Sequence, residues 1–551
     1  MRSLKYLFFA ISFGAMPLAA TAQQPTTMIE VVDRIFSQEQ AEMRLLRQYS
    51  PLVETYVQYL RLDKQQVDVP DGDKYFLGRA ELAHGVQLEA LSRDAGTKQK
   101  IFGGVGEFFS MELLPRGFLQ MIYLDMDGFD RQHYTVEYLG REFLGEVRCL
   151  VFDVTPLPKS GKGRFVGRIW VEDRDYHIVR FNGTYGGASL TSNYLNFESW
   201  RVNVGSNLWL PAFIYSEGPS VHDAKARNLG FKAFRAQTRL WGYDQGHVQK
   251  EQELSKVLVE LPASVKDQSE TANDYSPLQA ERLWDRKAEE NVIDYLQRQG
   301  LLAPSGAVDK VLETVVNNIE VTNNLEIQPE VRCRVLMTST LESFTIGHTI
   351  VLSRGLIDVL PDEASLAAIL SHELGHVVLR HRMDTQFAFL SNLRFNEKKT
   401  FRHFDFARTA EEEQAASQKG IGLLKNSPYE GQSSTVPVFL QALKDRSKEI
   451  PNLVSPHLGD SWITSSMVFP GTPSGLKPTT TIVAALPLGG RIKVDPWNDQ
   501  LTILKAEPVG AVAEDERKPF EITPFQFYLT RGRENSPAES ATSSEAKLDI
   551  D

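Results

Sequence analysis

The run Ala364–Arg382, ASLAAILSHELGHVVLRHR, constrains this chain more than any other stretch. Leu366, Ala367, Ile369, Leu370, Leu374, Val377 and Val378 crowd it with apolar side chains, so it reads as a helix that a core must surround. Inside it stand His372, Glu373 and His376. Residues i and i+4 share a helix face, so the two imidazoles look the same way. Glu373 follows His372 and can reach a water held between them. An unpaired carboxylate in a core costs several kcal/mol, and a metal ion satisfies all three groups. Zinc, with three protein ligands and one open position, suits these donors. His381 lies on the same helix, about 140° further round than His376, and reads as a structural histidine rather than a ligand.

The chain has 551 residues, too many for one core, and they divide by composition into several parts. Met1–Ala22 reads as a secretory signal, with Arg2 and Lys5 before an apolar run and Ala20-Thr21-Ala22 as the cleavage site. Cleavage after Ala22 implies a periplasmic or secreted protein. No later run has the ~18 consecutive apolar residues of a transmembrane helix. The net charge of −11 is spread without long blocks, which argues against nucleic acid as a partner. The two cysteines, Cys149 and Cys333, are too few for a cystine framework.

An α+β chain is expected. Met28–Leu62 reads as helix, with apolar residues at helical intervals and a break near Pro51. Lys74 to about Gln245 reads as an antiparallel sheet. Within it, Arg168–Glu172 and His177–Phe181 alternate around the turn Asp173-Arg174-Asp175. The stretches Tyr138–Gly145, Cys149–Pro156 and Gly167–Glu172 resemble the half-open barrels of the LolA/RseB type. That resemblance implies a concave surface for acyl chains or a lipoprotein; the alternative is a sheet that only packs on its neighbour. A polar join at Glu260–Glu270 follows. Leu278–Gln299 and Val308–Val321 read as helices, Val331–Met337 as a strand, and Leu341–Ser353 as a strand or hairpin turning at Gly347. Asp362 is placed to cap the apolar helix. Further on, Ser433–Lys448 looks helical, Pro470–Pro478 turn-rich, and Thr481–Leu504 and Phe520–Thr530 strand-forming. The tail from Arg531 is rich in Ser, Glu and Ala. The expected layout is 1–22 signal, 23–260 helix plus antiparallel sheet, 271–465 helical domain, 466–530 β-rich extension and 531–551 tail.

Four stretches resemble the HtpX/BepA-type zinc metallopeptidases. They are Ser343–Ile357, Glu363–His376, Glu413–Gly420 and Ser455–His457. The resemblance implies a mainly helical zincin-type domain with a small β-hairpin and one zinc ion per chain. His372, His376 and Glu413 would be its ligands and Glu373 its general base, with Asp405, Glu411 and Glu412 as rival carboxylates to Glu413. The strand near Phe344–Leu352 would pair with an extended substrate. His457 matches the histidine that, in BepA-like members, approaches the metal, and is taken here as a second catalytic candidate. Two positions depart from the family pattern. Ser417 replaces an aspartate that orients a zinc histidine, and Ile463 replaces an arginine that can stabilise an oxyanion. The expected function is an exported zinc metalloendopeptidase acting on misfolded or envelope polypeptides, outer-membrane proteins and lipoproteins among them. The alternative is a periplasmic chaperone or lipoprotein-handling protein with a latent metal site.

Overall fold

A computed structural model describes residues 27–91 (without 63, 65–67 and 84) and 115–243 (without 127, 162, 187–194, 206–207 and 229–231). It further describes 277–381, 406–459 (without 431–434), 485–503 (without 490) and 519–531. The leader at 1–22, the join at 260–270, the turn region 470–478, Asp405, Ile463 and the tail beyond 531 lie outside the described residues.

The first helix, α1 (Met28–Leu46), starts at Thr27 with a capping box to Glu30. It buries Val31, Val32, Ile35, Phe36 and Leu46. The helix expected over Met28–Leu62 stops there, and Leu52–Leu62 forms strand β1 instead. The reason is burial on both sides. Leu52 and Tyr56 face one core and Val53 and Val57 the other, so a period of two carries apolar residues on both faces and mimics a helical pattern.

Strand β1 sits inside a ten-stranded sheet, ordered β3-β2-β1-β10-β9-β8-β7-β6-β5-β4. The other strands are β2 (Asp68–Glu81), β3 (Gln87–Ala90), β4 (Tyr134–Leu144), β5 (Val147–Pro156), β6 (Arg164–Glu172), β7 (Ile178–Gly186), β8 (Asn196–Gly205), β9 (Leu208–Glu217) and β10 (Phe234–Trp241). Every pairing is antiparallel. The hairpin expected around Asp173–Asp175 is β6–β7. One face of the sheet packs on α1 and on Phe118, Leu119 and Ile122 in and after the short helix α2 (Pro115–Gln120). Its other face, with Trp170, Trp200, Trp209 and Phe213, shares a core with the second half of the chain. A short helix α3 (Ala224–Asn228) lies between β9 and β10.

That second half is mainly helical. Helices α4 (Pro277–Arg298) and α5 (Ala307–Thr322) precede a three-stranded sheet of β11 (Arg332–Leu336), β12 (Ser343–Ile346) and β13 (Thr349–Ser353). The order is β11-β13-β12, so β12 is an edge strand, and the β12–β13 hairpin turns at Gly347 as expected. Helices α6 (Arg354–Val359), α7 (Glu363–Leu379), α8 (Ala410–Lys425), α9 (Thr435–Arg446) and α10 (Pro451–Val454) follow, then the small hairpin β14 (Ile492–Val494) and β15 (Leu501–Ile503). Both cysteines are buried and unbridged. No helix among the described residues is long and apolar enough to cross a membrane.

Two buried carboxylates lock the halves together. Glu54 of β1 accepts bonds from the Ser339 amide (2.5 Å) and hydroxyl (2.6 Å), from Tyr75 (2.8 Å) and from Arg354 (3.1 Å). Asp73 of β2 accepts the Asn452 and Leu453 amides at 3.0 and 2.9 Å and the Tyr56 hydroxyl at 3.0 Å. Donors in that number offset much of the desolvation that burying a carboxylate costs.

Residues 519–531 do not form the strand expected there. They run extended across the large sheet with one bridge, Leu488 to Ile522. Side chains anchor them instead. Gln58 binds both the Phe520 carbonyl (2.8 Å) and the Ile522 amide (2.9 Å), Phe527 packs on Trp200 and Phe213, and Arg531 pairs with Glu172.

Candidate metal centre

Helix α7 begins as expected, with Asp362 accepting the Ser365 amide at 2.8 Å. Every residue from Ala364 to Val377 is buried. The helix ends at Leu379, three residues short of the apolar run's end at Arg382. Arg380 adopts a left-handed conformation (φ 55°), and the amides of Arg380 and His381 both bond back, to the Val377 and His376 carbonyls at 3.1 Å. This is a Schellman turn. It overturns the helical placement of His381, which folds back over His376 instead of lying 140° away.

Helix α8 opens on Thr409, with a capping box to Glu412. It crosses α7 at very short range. A Cβ on Gly375 would lie 2.6 Å from the Ala416 carbonyl, and one on Gly420 would lie 2.7 Å from the Ser371 carbonyl. Only glycine permits this approach. Glu413, Ser417 and Gly420 recur at helical spacing on α8, so the crossing sets Glu413 and Ser417 over the histidines.

His372 Nε2 stands 3.2 Å from one Glu413 oxygen and His376 Nε2 stands 3.3 Å from the other. The two Nε2 atoms are 3.3 Å apart. The three side chains offer ligand atoms that all lie within 4.8 Å of one another. Donors each about 2.0–2.1 Å from one tetrahedral ion would stand roughly 3.3–3.4 Å apart, so the spacing fits zinc. The oxygens tell the same story. Both are buried, and neither receives a hydrogen bond, an arrangement that a cation would complete. Burial pushes the Glu413 carboxyl up, but the facing imidazoles outweigh it and hold it well below the usual carboxylate range. Burial is also the main reason His376 lies below its ordinary value, with Glu413 opposing it.

The remaining ring nitrogens are also engaged. His372 Nδ1 lies 3.2 Å from the Ser417 hydroxyl, and His376 Nδ1 lies 2.8 Å from His381 Nδ1. Glu373 is fully buried, and Ser343 on β12 donates its hydroxyl to Glu373 Oε1 at 2.5 Å. The sequence reading missed Ser343 and His381 as partners. For Ser343 spacing gave no signal, because Glu373 lies 30 residues further on; for His381 none existed, because Arg380 occupies the left-handed position that glycine would have announced.

His457 follows α10. Its ring stacks on Tyr75 with centroids 4.8 Å apart, and the amides of His457, Leu458 and Gly459 converge on Glu342 at 2.9–3.1 Å. The same loop covers part of the outer edge of β12. A Cβ on Gly459 would lie 2.4 Å from the Ser343 carbonyl, while Phe406 stacks on Phe344 and Arg408 donates to the Thr345 carbonyl at 3.2 Å.

Residues 306–424, from the start of α5 through most of α8, match the model of Peptidase family M48, whose members are in general zinc-dependent. That match supports a metallopeptidase. None of the curated proteins matches the chain. Among solved structures, the chain is similar to a DUF1329 family protein from Desulfovibrio piger, at 14% identity over 41% of this chain and 95% of that one, with a TM-score of 0.22. A putative outer membrane lipoprotein-sorting protein domain from Vibrio parahaemolyticus is 10% identical over 40% and 96%, with a TM-score of 0.19. The MucA/MucB complex of Pseudomonas aeruginosa is 7% identical over 40% and 95%, with a TM-score of 0.14.

Proposed function

We propose that this protein is an exported zinc metalloendopeptidase that cleaves misfolded or envelope polypeptides in the periplasm. The observation that carries the reading is the convergence of His372, His376 and Glu413 at tetrahedral spacing beside a buried Glu373. Those three side chains would hold the zinc ion. Bound there, zinc supplies a Lewis acid that polarises a scissile carbonyl and acidifies water. Glu373 takes the proton of the attacking water and passes it to the leaving amine. With Oε1 tied to Ser343, the proton goes to Oε2. Edge strand β12 aligns an extended polypeptide through its outward carbonyls. His457, on the loop beside that edge, is the second catalytic candidate, its ring held against Tyr75. Export follows from the leader-like segment Met1–Ala22.

A second reading is favoured by the edge itself. The Ser343 and Thr345 carbonyls, which an extended substrate would pair with, are covered by Gly459 and Arg408. In that reading the centre is latent, and the protein serves as a periplasmic chaperone or lipoprotein-handling factor.

One variant tests the first reading. Glu373→Gln should keep zinc bound while cleavage of an unfolded protein substrate falls by about 10²–10⁴-fold. Full activity in that variant would falsify the proposed base. Binding of zinc without cleavage by the wild type would move the reading to the latent one.

A further inference from the structure

The turn that ends α7 lays His381 over His376. In a Schellman turn the residue after the left-handed position meets the one five residues back, usually through an apolar contact. Here both partners are imidazoles, joined Nδ1 to Nδ1 at 2.8 Å. Such a contact holds one proton, so one ring donates and the other accepts. The other nitrogen of His376, Nε2, is committed to the space it shares with Glu413 and His372. If Nε2 offers a lone pair there, Nδ1 must carry the ring's proton, and His381 Nδ1 must accept it.

We propose that His381 is the positioning residue of this centre. Its neutral ring accepts the His376 Nδ1–H, which fixes the His376 tautomer and aims Nε2 at the ion. The inference rests on the metal-centre reading above. Two further features support it. The turn is made with Arg380 rather than glycine in a left-handed conformation that costs an L-residue roughly 1–2 kcal/mol, so the chain tolerates strain to place His381. The two ligand histidines are also served alike by uncharged partners, His372 by the Ser417 hydroxyl and His376 by the His381 ring. Metal-bound histidines are commonly oriented by a bond at the other nitrogen, and losing that partner weakens metal binding by about 10–100-fold.

The test is zinc affinity, measured by chelator competition on the full chain, with the cobalt visible spectrum as a second readout. His381→Phe keeps an aromatic ring over His376 but offers no acceptor, and His381→Asp restores one. His381→Ala serves if phenylalanine disturbs the fold, which the melting temperature of the metal-free protein reveals. The expected result is a loss of about 10–100-fold in zinc affinity and an altered cobalt spectrum for the Phe and Ala variants, with recovery in Asp. Zinc held by the wild type, and held within threefold as tightly by His381→Phe and His381→Ala, overturns this inference alone. A wild type that binds no zinc, or binds it equally well after His372→Ala, overturns the metal-centre reading and this inference with it.

Discussion

In the large sheet, Arg201 lies between Glu39 and Glu42 with His177 beside them, all buried. At α7 and α8, two buried histidines face Glu413, whose side chain is only partly buried. The ingredients are alike, but the bookkeeping of donors differs. In the first cluster each carboxylate oxygen meets a cationic group: Arg201 Nη1 and Nη2 reach Glu39 at 2.7 and 2.8 Å, Nη1 reaches Glu42 at 2.7 Å, and His177 Nδ1 stands 3.2 Å from the other Glu42 oxygen. In the second, the Glu413 oxygens receive no hydrogen bond. The first network commits all four carboxylate oxygens to tying α1 to β8; the second keeps both Glu413 oxygens as ligands to give. Burial of polar residues does not mark a site by itself. Buried carboxylate oxygens that no donor reaches do.

The strongest test of this contrast is Arg201→Met. It leaves two carboxylates in the core without their cation and should destabilise the protein by about 3–5 kcal/mol in denaturant unfolding. Replacing Glu39 and Glu42 as well, with apolar residues of similar size, should recover most of the loss. A single variant as stable as the wild type would show that the carboxylate oxygens are not committed in the sense argued.

Metal removal should come next in size. Chelation should lower the unfolding free energy by about 2.7 kcal/mol relative to protein with free zinc at a hundred times its Kd. The same treatment of a His372→Ala variant should change nothing. An equal shift in both would place the ion elsewhere.

Titration should separate the clusters by sign. His177 is pulled down by burial, but Glu42, Glu172 and Asp175 outweigh that and raise its pKa. Its contribution is therefore complete below the ordinary value near 6.5 and is lost as pH rises through the raised one. His376 in metal-free protein is lowered, so its penalty is absent above 6.5 and grows as pH falls toward the folded value. Melting of chelated protein between pH 5.5 and 8 should show His177→Gln most damaging at the acid end and His376→Gln most damaging at the alkaline end. Parallel profiles would remove the distinction.

The smallest effect is expected from Glu413→Gln without metal. The change removes the stabilisation that the facing imidazoles give the carboxylate, so it should cost some stability in denaturant unfolding, but less than Arg201→Met. The same substitution should weaken zinc binding.

Much of the centre was legible from local pattern. The capped helix at Asp362, the hairpin at Gly347 and the i, i+4 histidines follow from spacing, and each stands where expected. Glu413 needed the family pattern, because three glutamates in a row give spacing no way to choose. What local pattern could not give depends on distant chain. β1 looked helical because both its faces meet cores supplied by other segments. His381 was misplaced because a helix stop without glycine leaves no signature. Nothing local marks Glu54 as a tie between the halves, since its partners Ser339 and Arg354 lie about three hundred residues away.

The crossing of residues 519–531 over the large sheet also sets an order of assembly. Gln58 belongs to the first strand made, yet both ends of its amide are answered by Phe520 and Ile522, among the last described residues. A chain delivered from its N-terminus can pair all ten strands while the indole of Trp200 and the ring of Phe213 still lie bare. Phe527 covers both rings only when residues 519–531 are in place. A chain clipped before this segment would leave Trp200 and Phe213 without their Phe527 partner, and Gln58 without both of its backbone partners.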